Sequence, residues 1–272
     1  MYINSPLNNP MLNYAVYIMS PSENLLVSLI SFIAGGLVGL IFYANLFMMD
    51  GEPTMATHIS NAVFFVIVGL YAIKFIRPMY IGRCKNKRSA KLNKQFRDML
   101  ESLAASFSSG SNVQMAFESA AADLRMQYGN DDYIVREMQE IINGIKQNIN
   151  VEIMLENFGI RSGNEDIVSF ADVFAICYRK GGNMNSIIHR THSVISDKMA
   201  VADEIQTKLT SNKMQHNVMS VMPIAVVAIL RLTNKTFAEN FATPIGVIAN
   251  TVAIVIFVAS YIYGNKIVDI KE

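Results

Sequence analysis

Charge is scarce in this chain: 17% of its 272 residues are Asp, Glu, Lys or Arg, against about 25% in a typical soluble domain. The net charge of +1 excludes any whole-protein attraction to nucleic acid. Cysteine is nearly absent. Cys84 and Cys177 lie far apart, with no second cysteine or histidine at zinc-finger spacing around either, so they read as two reduced thiols of a cytosol-facing domain. No positively charged stretch precedes the first apolar run, which excludes a cleavable signal peptide and makes that run a retained span. Neither a GxxxxGK(S/T) loop nor a GxGxxG turn occurs, so the nucleotide chemistry those loops serve is excluded. His189 and His192 are three apart rather than four, and no third ligand is in view, so no metal is expected. The apolar runs hold no aspartate, glutamate or lysine except Lys74, whereas transporters and proton relays need ionisable groups at mid-depth.

What the chain does have is four apolar runs, Leu25–Met48, Ile59–Tyr80, Val218–Leu232 and Ile245–Tyr263. A bilayer core takes about 20 residues of helix; the third run is shorter and carries Pro223, and reads as a span because its neighbour needs a return partner. The expected fold class is all-α: an integral membrane protein with four transmembrane helices and a cytoplasmic six-helix bundle between spans two and three. The expected boundaries are an N-terminal segment 1–24, spans one and two within 25–80, a cytoplasmic domain 81–216, spans three and four within 217–265, and a tail 266–272.

Topology is signalled by Arg77, Arg83, Lys85, Lys87, Arg88, Lys91, Lys94 and Arg97, a run free of acidic residues. Basic residues beside a span stay on the cytoplasmic side, which puts both termini and the central domain in the cytoplasm and the Asp50–His58 loop outside. Lys266 and Lys271 agree; Arg231 and Lys235, in the other outer loop, run against it. Gly35 and Gly39 form a GxxxG spacing that lets two helix backbones approach closely in lipid.

The insert Lys91–Ser211 repeats apolar residues at three-and-four spacing. Leu92 to Phe107 form one stripe and Val113 to Leu124 a second. Ile134 to Ile149 form a third, which Gly144 is placed to end early, and Val151 to Phe158 a fourth, stopped by Gly159 and Gly163. Ile167 to Tyr178 form a fifth, and a last helix opens at Asn183 and runs on toward Pro223. Ser111 with Gln114 resembles a capping box, and Asn164 a cap. The acidic residues of the insert, Glu137, Glu140 and Glu152 among them, read for the most part as solvated helix faces.

Three stretches then resemble a known family. Leu103 to Glu118, through Ser109-Gly110-Ser111 to Ala116-Phe117-Glu118, looks like the leucine-rich helix, small-residue turn and continuation of the type II secretion system F domain, with Phe117 where leucine is usual. Gly144 to Arg161 is similar to that family's glycine, helix and arginine. Tyr178-Arg179-Lys180-Gly181-Gly182-Asn183-Met184, followed by Ile187-Ile188, resembles the turn and helix start of the Tad pilus branch. Pro223, Pro244, Gly246 and Gly264 fall where Tad platform proteins (TadB and TadC) have such residues, and the two-span, domain, two-span order is theirs.

The resemblance implies a platform protein of the plasma (inner) membrane, without catalytic activity or cofactor. It would dock a hexameric secretion ATPase and pass the motion of that motor to pilin or pseudopilin subunits. A second platform protein or a second copy is an expected lateral partner, alongside the lipid bilayer. Expected contact residues are Ser109, Gly110, Gly181, Gly182 and Asn183 with the basic run Arg83, Lys85, Lys87, Arg88, Lys91, Lys94 and Arg97. The alternatives are a membrane scaffold or a transporter subunit without an ATPase partner.

Overall fold

The fold was analysed in a computed structural model, which describes residues 2–44, 46, 54–241 and 243–268, and describes the backbone alone at 206, 208–213, 235, 241, 244 and 265–268. Among the described residues the chain is all-α, with one short antiparallel hairpin near its start. The hairpin is β1 (Tyr2–Asn4) and β2 (Pro10–Leu12), and the helices are α1 (Pro21–Tyr43), α2 (Met55–Ser108), α3 (Val113–Tyr128), α4 (Tyr133–Lys146), α5 (Val151–Ser162), α6 (Glu165–Lys180), α7 (Met184–Thr233), α8 (Lys235–Phe241) and α9 (Pro244–Val268). Among the described residues, four helical stretches are long and apolar enough to cross a membrane: α1, the first part of α2, Met214–Thr233 of α7, and Ile245–Gly264 of α9. Past the second apolar run α2 continues through Pro78 into the polar insert, and α7 likewise continues through Pro223. The expected outer-loop residues Asp50 and Glu52, and the tail residue Lys271, lie outside the described residues.

The chain divides into two compact units. The first is made of residues 2–18 with 81–202. Its core is drawn from every helix in it: Phe96, Met99 and Leu103 of α2, Phe117 and Leu124 of α3, Ile134 and Met138 of α4, Leu155 and Phe158 of α5, Phe170 and Phe174 of α6, Ile188 and Ile195 of α7. These are the stripes of the sequence, and each such side chain removed from water contributes about 1.5–3 kcal/mol. Phe96 meets Phe170 edge-on at 5.5 Å and Phe158 at 6.3 Å, and Phe117 meets Phe174 at 6.1 Å, separations typical of aromatic pairs.

Helix ends follow side-chain chemistry. Asn112, rather than Ser111, caps α3: its Oδ1 accepts from the Met115 amide at 2.9 Å. Asn164 caps α6 by accepting from the Asp166 amide at 2.8 Å. Gly144 does not end α4. It sits inside the helix, where an added Cβ would lie 2.7 Å from Met154 Sδ, so the glycine there admits the side chain of α5. Gly159 is likewise passed over, and α5 stops at the left-handed Gly163.

Three acids expected on solvated faces are instead buried. Glu137 and Arg161 are 1% and 2% exposed, with Arg161 Nη1 and Nη2 donating to Glu137 Oε1 and Oε2 at 2.7 and 2.5 Å. Glu140 is buried against the N-terminal hairpin, and Glu152 accepts from Arg179 Nε at 3.2 Å. Burial pushes the Glu137 carboxyl above the usual carboxylate range, and the Arg161 guanidinium and Tyr14 hydroxyl pull it back. Burial and the neighbouring Glu137 likewise raise the Tyr14 phenol, which therefore stays protonated and donating.

The second unit holds residues 19–80 and the described part of 203–272. Ser20 and Glu23 form a capping box at the start of α1. In α1, Gly35, Gly36 and Gly39 are buried against α2 of the same chain. A Cβ on Gly35 would run into that of Ala72, one on Gly36 into the Phe65 ring, and one on Gly39 would stand 3.0 Å from Val68 Cβ. The GxxxG spacing therefore serves contact within the chain. Gly35→Leu is expected to destabilise this unit by about 1–3 kcal/mol through overpacking, seen as earlier unfolding in a denaturing-detergent titration. Gly82→Ala, with nothing within 4 Å of the new Cβ, is the neutral or stabilising control.

Arg231, which opposes the charge asymmetry of the loops, has a local use. Its Nη1 donates to the carbonyls of Leu40 and Ile41 at 3.1 and 2.6 Å and its Nη2 to that of Ala44 at 2.7 Å. A cation at the C-terminal end of α1 satisfies carbonyls the helix leaves open. Asn250 donates to the Phe42 carbonyl at 2.8 Å, an interhelical use for one of the few polar groups in the spans.

Candidate docking surface

Two of the turns singled out in the sequence are brought together at the end of the first unit. A cleft of about 850 Å³ is lined by Ser111 and Asn112 after α2, by Asn148 and Asn150 between α4 and α5, and by Gly182, Asn183 and Asn185 at the start of α7. Its apolar wall includes Phe107, Ile149, Tyr178 and Met184. Five asparagines line it and no charged side chain does, so its chemistry is that of carboxamides, each able to donate and accept. Across its rim the Ser108 hydroxyl donates to Asn185 Oδ1 at 3.1 Å and lies 3.2 Å from His189 Nε2.

Both glycine turns have a geometric reason to be glycine. Gly110 and Gly181 have φ of +82° and +71°. The amide of Ser111 donates to Ser106 O at 3.2 Å, and that of Gly182 to Cys177 O at 2.8 Å. These are the six-to-one bonds of a helix closed by a left-handed residue. Nothing lies within 4 Å of a Cβ built on either Gly110 or Gly181, so backbone conformation alone demands them. Gly181→Ala is expected to cost about 1–2 kcal/mol and Gly181→Asn less, read from urea unfolding of the bundle. Ser109 is exposed at the first turn, its hydroxyl donating to Ser106 O at 2.8 Å.

The basic run is a separate surface. Arg83 to Arg97 lie about 16 to 38 Å back along α2 from Ser108, at 1.5 Å per residue, so they do not join the cleft. Three of them are engaged inside the unit. Arg88 lies 4.7 Å from the Tyr17 ring centroid, Lys91 binds Asp132 at 2.8 Å, and Arg97 binds Asp98 at 2.9 Å. Burial acts to raise the Asp132 carboxyl, but hydrogen bonds from Lys91 and from the Tyr133 amide outweigh it and hold it below the usual range. Asp98 also accepts from the Tyr128 hydroxyl; burial, then that bond, raises the Tyr128 phenol. Arg83, Lys85, Lys87 and Lys94 are exposed and form no ion pair among the described residues.

His189 and His192 pair with Ser108 and Ser196, and the described residues contain no group of three or more His, Cys, Asp or Glu that could hold a metal ion. Cys84 and Cys177 are free thiols. Sequence reasoning did not find Asn148 and Asn150 as cleft residues, although Asn148 at φ +61° is the kind of left-handed asparagine that an Asn-rich turn announces.

No curated protein and no solved structure matches the chain at a significant level. Residues 99–232, from the bundle part of α2 to the end of α7, match the family described as Type II secretion system (T2SS), protein F. With four apolar helices among the described residues flanking and entering that segment, this is a membrane protein whose residues 99–232 match the type II secretion system protein F family.

Proposed function

We infer that the protein is the platform of a secretion or pilus machine, lying in the inner membrane with its first unit in the cytoplasm. There it docks the secretion ATPase and passes the motion of that motor to pilin-like subunits leaving the bilayer. The family match carries this reading. The continuity of α2 and α7 supports it, since each helix holds both bundle residues and a candidate span and a continuous helix resists bending. The basic run beside the second span supports the orientation. The carboxamide-lined cleft offers a docking surface for a neutral, hydrogen-bonding loop of the motor, and the exposed Arg83, Lys85, Lys87 and Lys94 a second one for acidic groups. The Tad branch is favoured by the Gly181-Gly182-Asn183 turn and by the two spans on either side of the domain.

The test is copurification from gently solubilised membranes, with and without residues 91–211. Retention of a hexameric ATPase that depends on this insert is the expected result. Absence of any ATPase, even after cross-linking in intact cells, would reject motor coupling in favour of a scaffold.

A further inference from the structure

Residues 2–17 lie outside the segment that carries the family match, yet they are packed on the bundle. We propose that the α4–α5 face of the bundle is a peptide-binding site whose ligand is this chain's own N-terminal arm, held as a latch that opens without unfolding the bundle.

The arm docks as a hairpin. Its strands pair Tyr2 with Leu12 and Asn4 with Pro10, and the connecting turn is closed by the Ser5 amide on Asn9 O at 2.8 Å and by Asn8, at φ +60°, on Ser5 O at 2.9 Å. The site reads it by hydrogen bonds to buried charge. The Ser5 hydroxyl donates to Glu140 Oε1 at 2.5 Å, and Asn9 Nδ2 donates to both Glu140 oxygens at 3.1 and 3.0 Å. The Tyr14 hydroxyl donates to Glu137 Oε1 at 2.9 Å, Arg161 Nη1 to Leu12 O at 3.2 Å, and the Tyr14 amide to Arg161 O at 2.8 Å. Shape adds selectivity: Gly163, at φ +62°, leaves room for Ala15, whose Cβ would stand 2.7 Å from a Cβ at position 163.

The same contacts explain why the latch is reversible. Tyr14 is the one arm residue fully inside the core, with Leu7 and Leu12 partly buried, and the rest of that core comes from the helices. When the arm leaves, Glu137 and Arg161 keep each other through two hydrogen bonds, and Glu140 gains water for the donors it loses. The floor of the site is therefore never left with an unpaired buried charge, the circumstance that would make opening prohibitive.

Three residues beyond Ile18 the chain becomes α1, so a short stretch of chain joins the arm to the first candidate span. The use of the latch in coupling rests on the platform reading above; its existence does not.

The experiment uses the full chain in detergent micelles, with a protease recognition sequence inserted between Ile18 and Met19. After cleavage the arm is expected to stay with the protein through gel filtration. Ser5→Ala with Asn9→Ala, and separately Tyr14→Phe, should shorten its residence about tenfold or more. Amide hydrogen exchange in α3 and α6 should stay protected after release. Immediate loss of the wild-type arm, equal residence in the variants, or collapse of protection in α3 and α6 would each overturn the proposal. None of these readouts involves an ATPase, so the latch and the platform reading fail separately.

Discussion

Glu137→Ala is expected to destabilise the first unit by about 3–5 kcal/mol, the cost of removing one partner from a buried ion pair. The Arg161 guanidinium is 2% exposed and gives two of its hydrogen bonds to Glu137. Without that carboxylate it retains Asn157 Oδ1 at 2.7 Å and the Leu12 carbonyl at 3.2 Å, two neutral acceptors around a full positive charge. Glu137→Gln, which keeps the shape, should fall between wild type and alanine. The double replacement Glu137→Leu with Arg161→Met should recover most of the loss, because it removes both charges from a low-dielectric site. Hydrogen exchange at the amides of α4 and α5 in a urea series, on the full chain in micelles, measures all four proteins. A loss below about 1 kcal/mol in Glu137→Ala would mean that water reaches the pair and that its burial counts for little.

Inserting Gly-Pro after Met199 should abolish pilus assembly or secretion while leaving membrane insertion unchanged. Met199 packs partly on the bundle core, and α7 runs from there into the third candidate span without a break. Proline removes a helical hydrogen bond and clashes with the preceding turn, at about 3 kcal/mol, so the insert becomes a hinge. A seven-alanine insertion at the same place is the control. It lengthens α7 but keeps the helix continuous and its faces in phase to within about 20°, and should retain part of the activity. Normal assembly by the Gly-Pro protein would show that α7 does not carry the motion.

The elements that were legible in the sequence share a physical property: their signal is local. The spans announce themselves by length and apolarity, because a bilayer imposes one solvent on 20 consecutive residues. The stripes Leu92–Phe107 and Ile167–Tyr178 announce helices, because 3.6-residue periodicity is all that an amphipathic helix needs. The glycine turns at Gly110 and Gly181 are read from the same local rule, left-handed closure of a helix end.

What stayed hidden depends on residues far apart in the chain. Glu137 has the same sequence context as a solvated acid, and Arg161, 24 positions away, makes its burial tolerable, with Tyr14, 123 positions away, as one further donor. The cleft joins asparagines from three separate turns. The hairpin at residues 2–12 has strands of three residues each, too short for any alternation to register. The sequence by itself therefore determined the helical class, the four candidate spans and the likeness of its insert to a known family, since each follows from how a segment of chain meets its solvent. The tertiary structure alone decided which acids are buried, which turns converge and where the N-terminal arm lies, because a charge or a hydrogen bond is fixed by its partner and the partner is placed only by the fold.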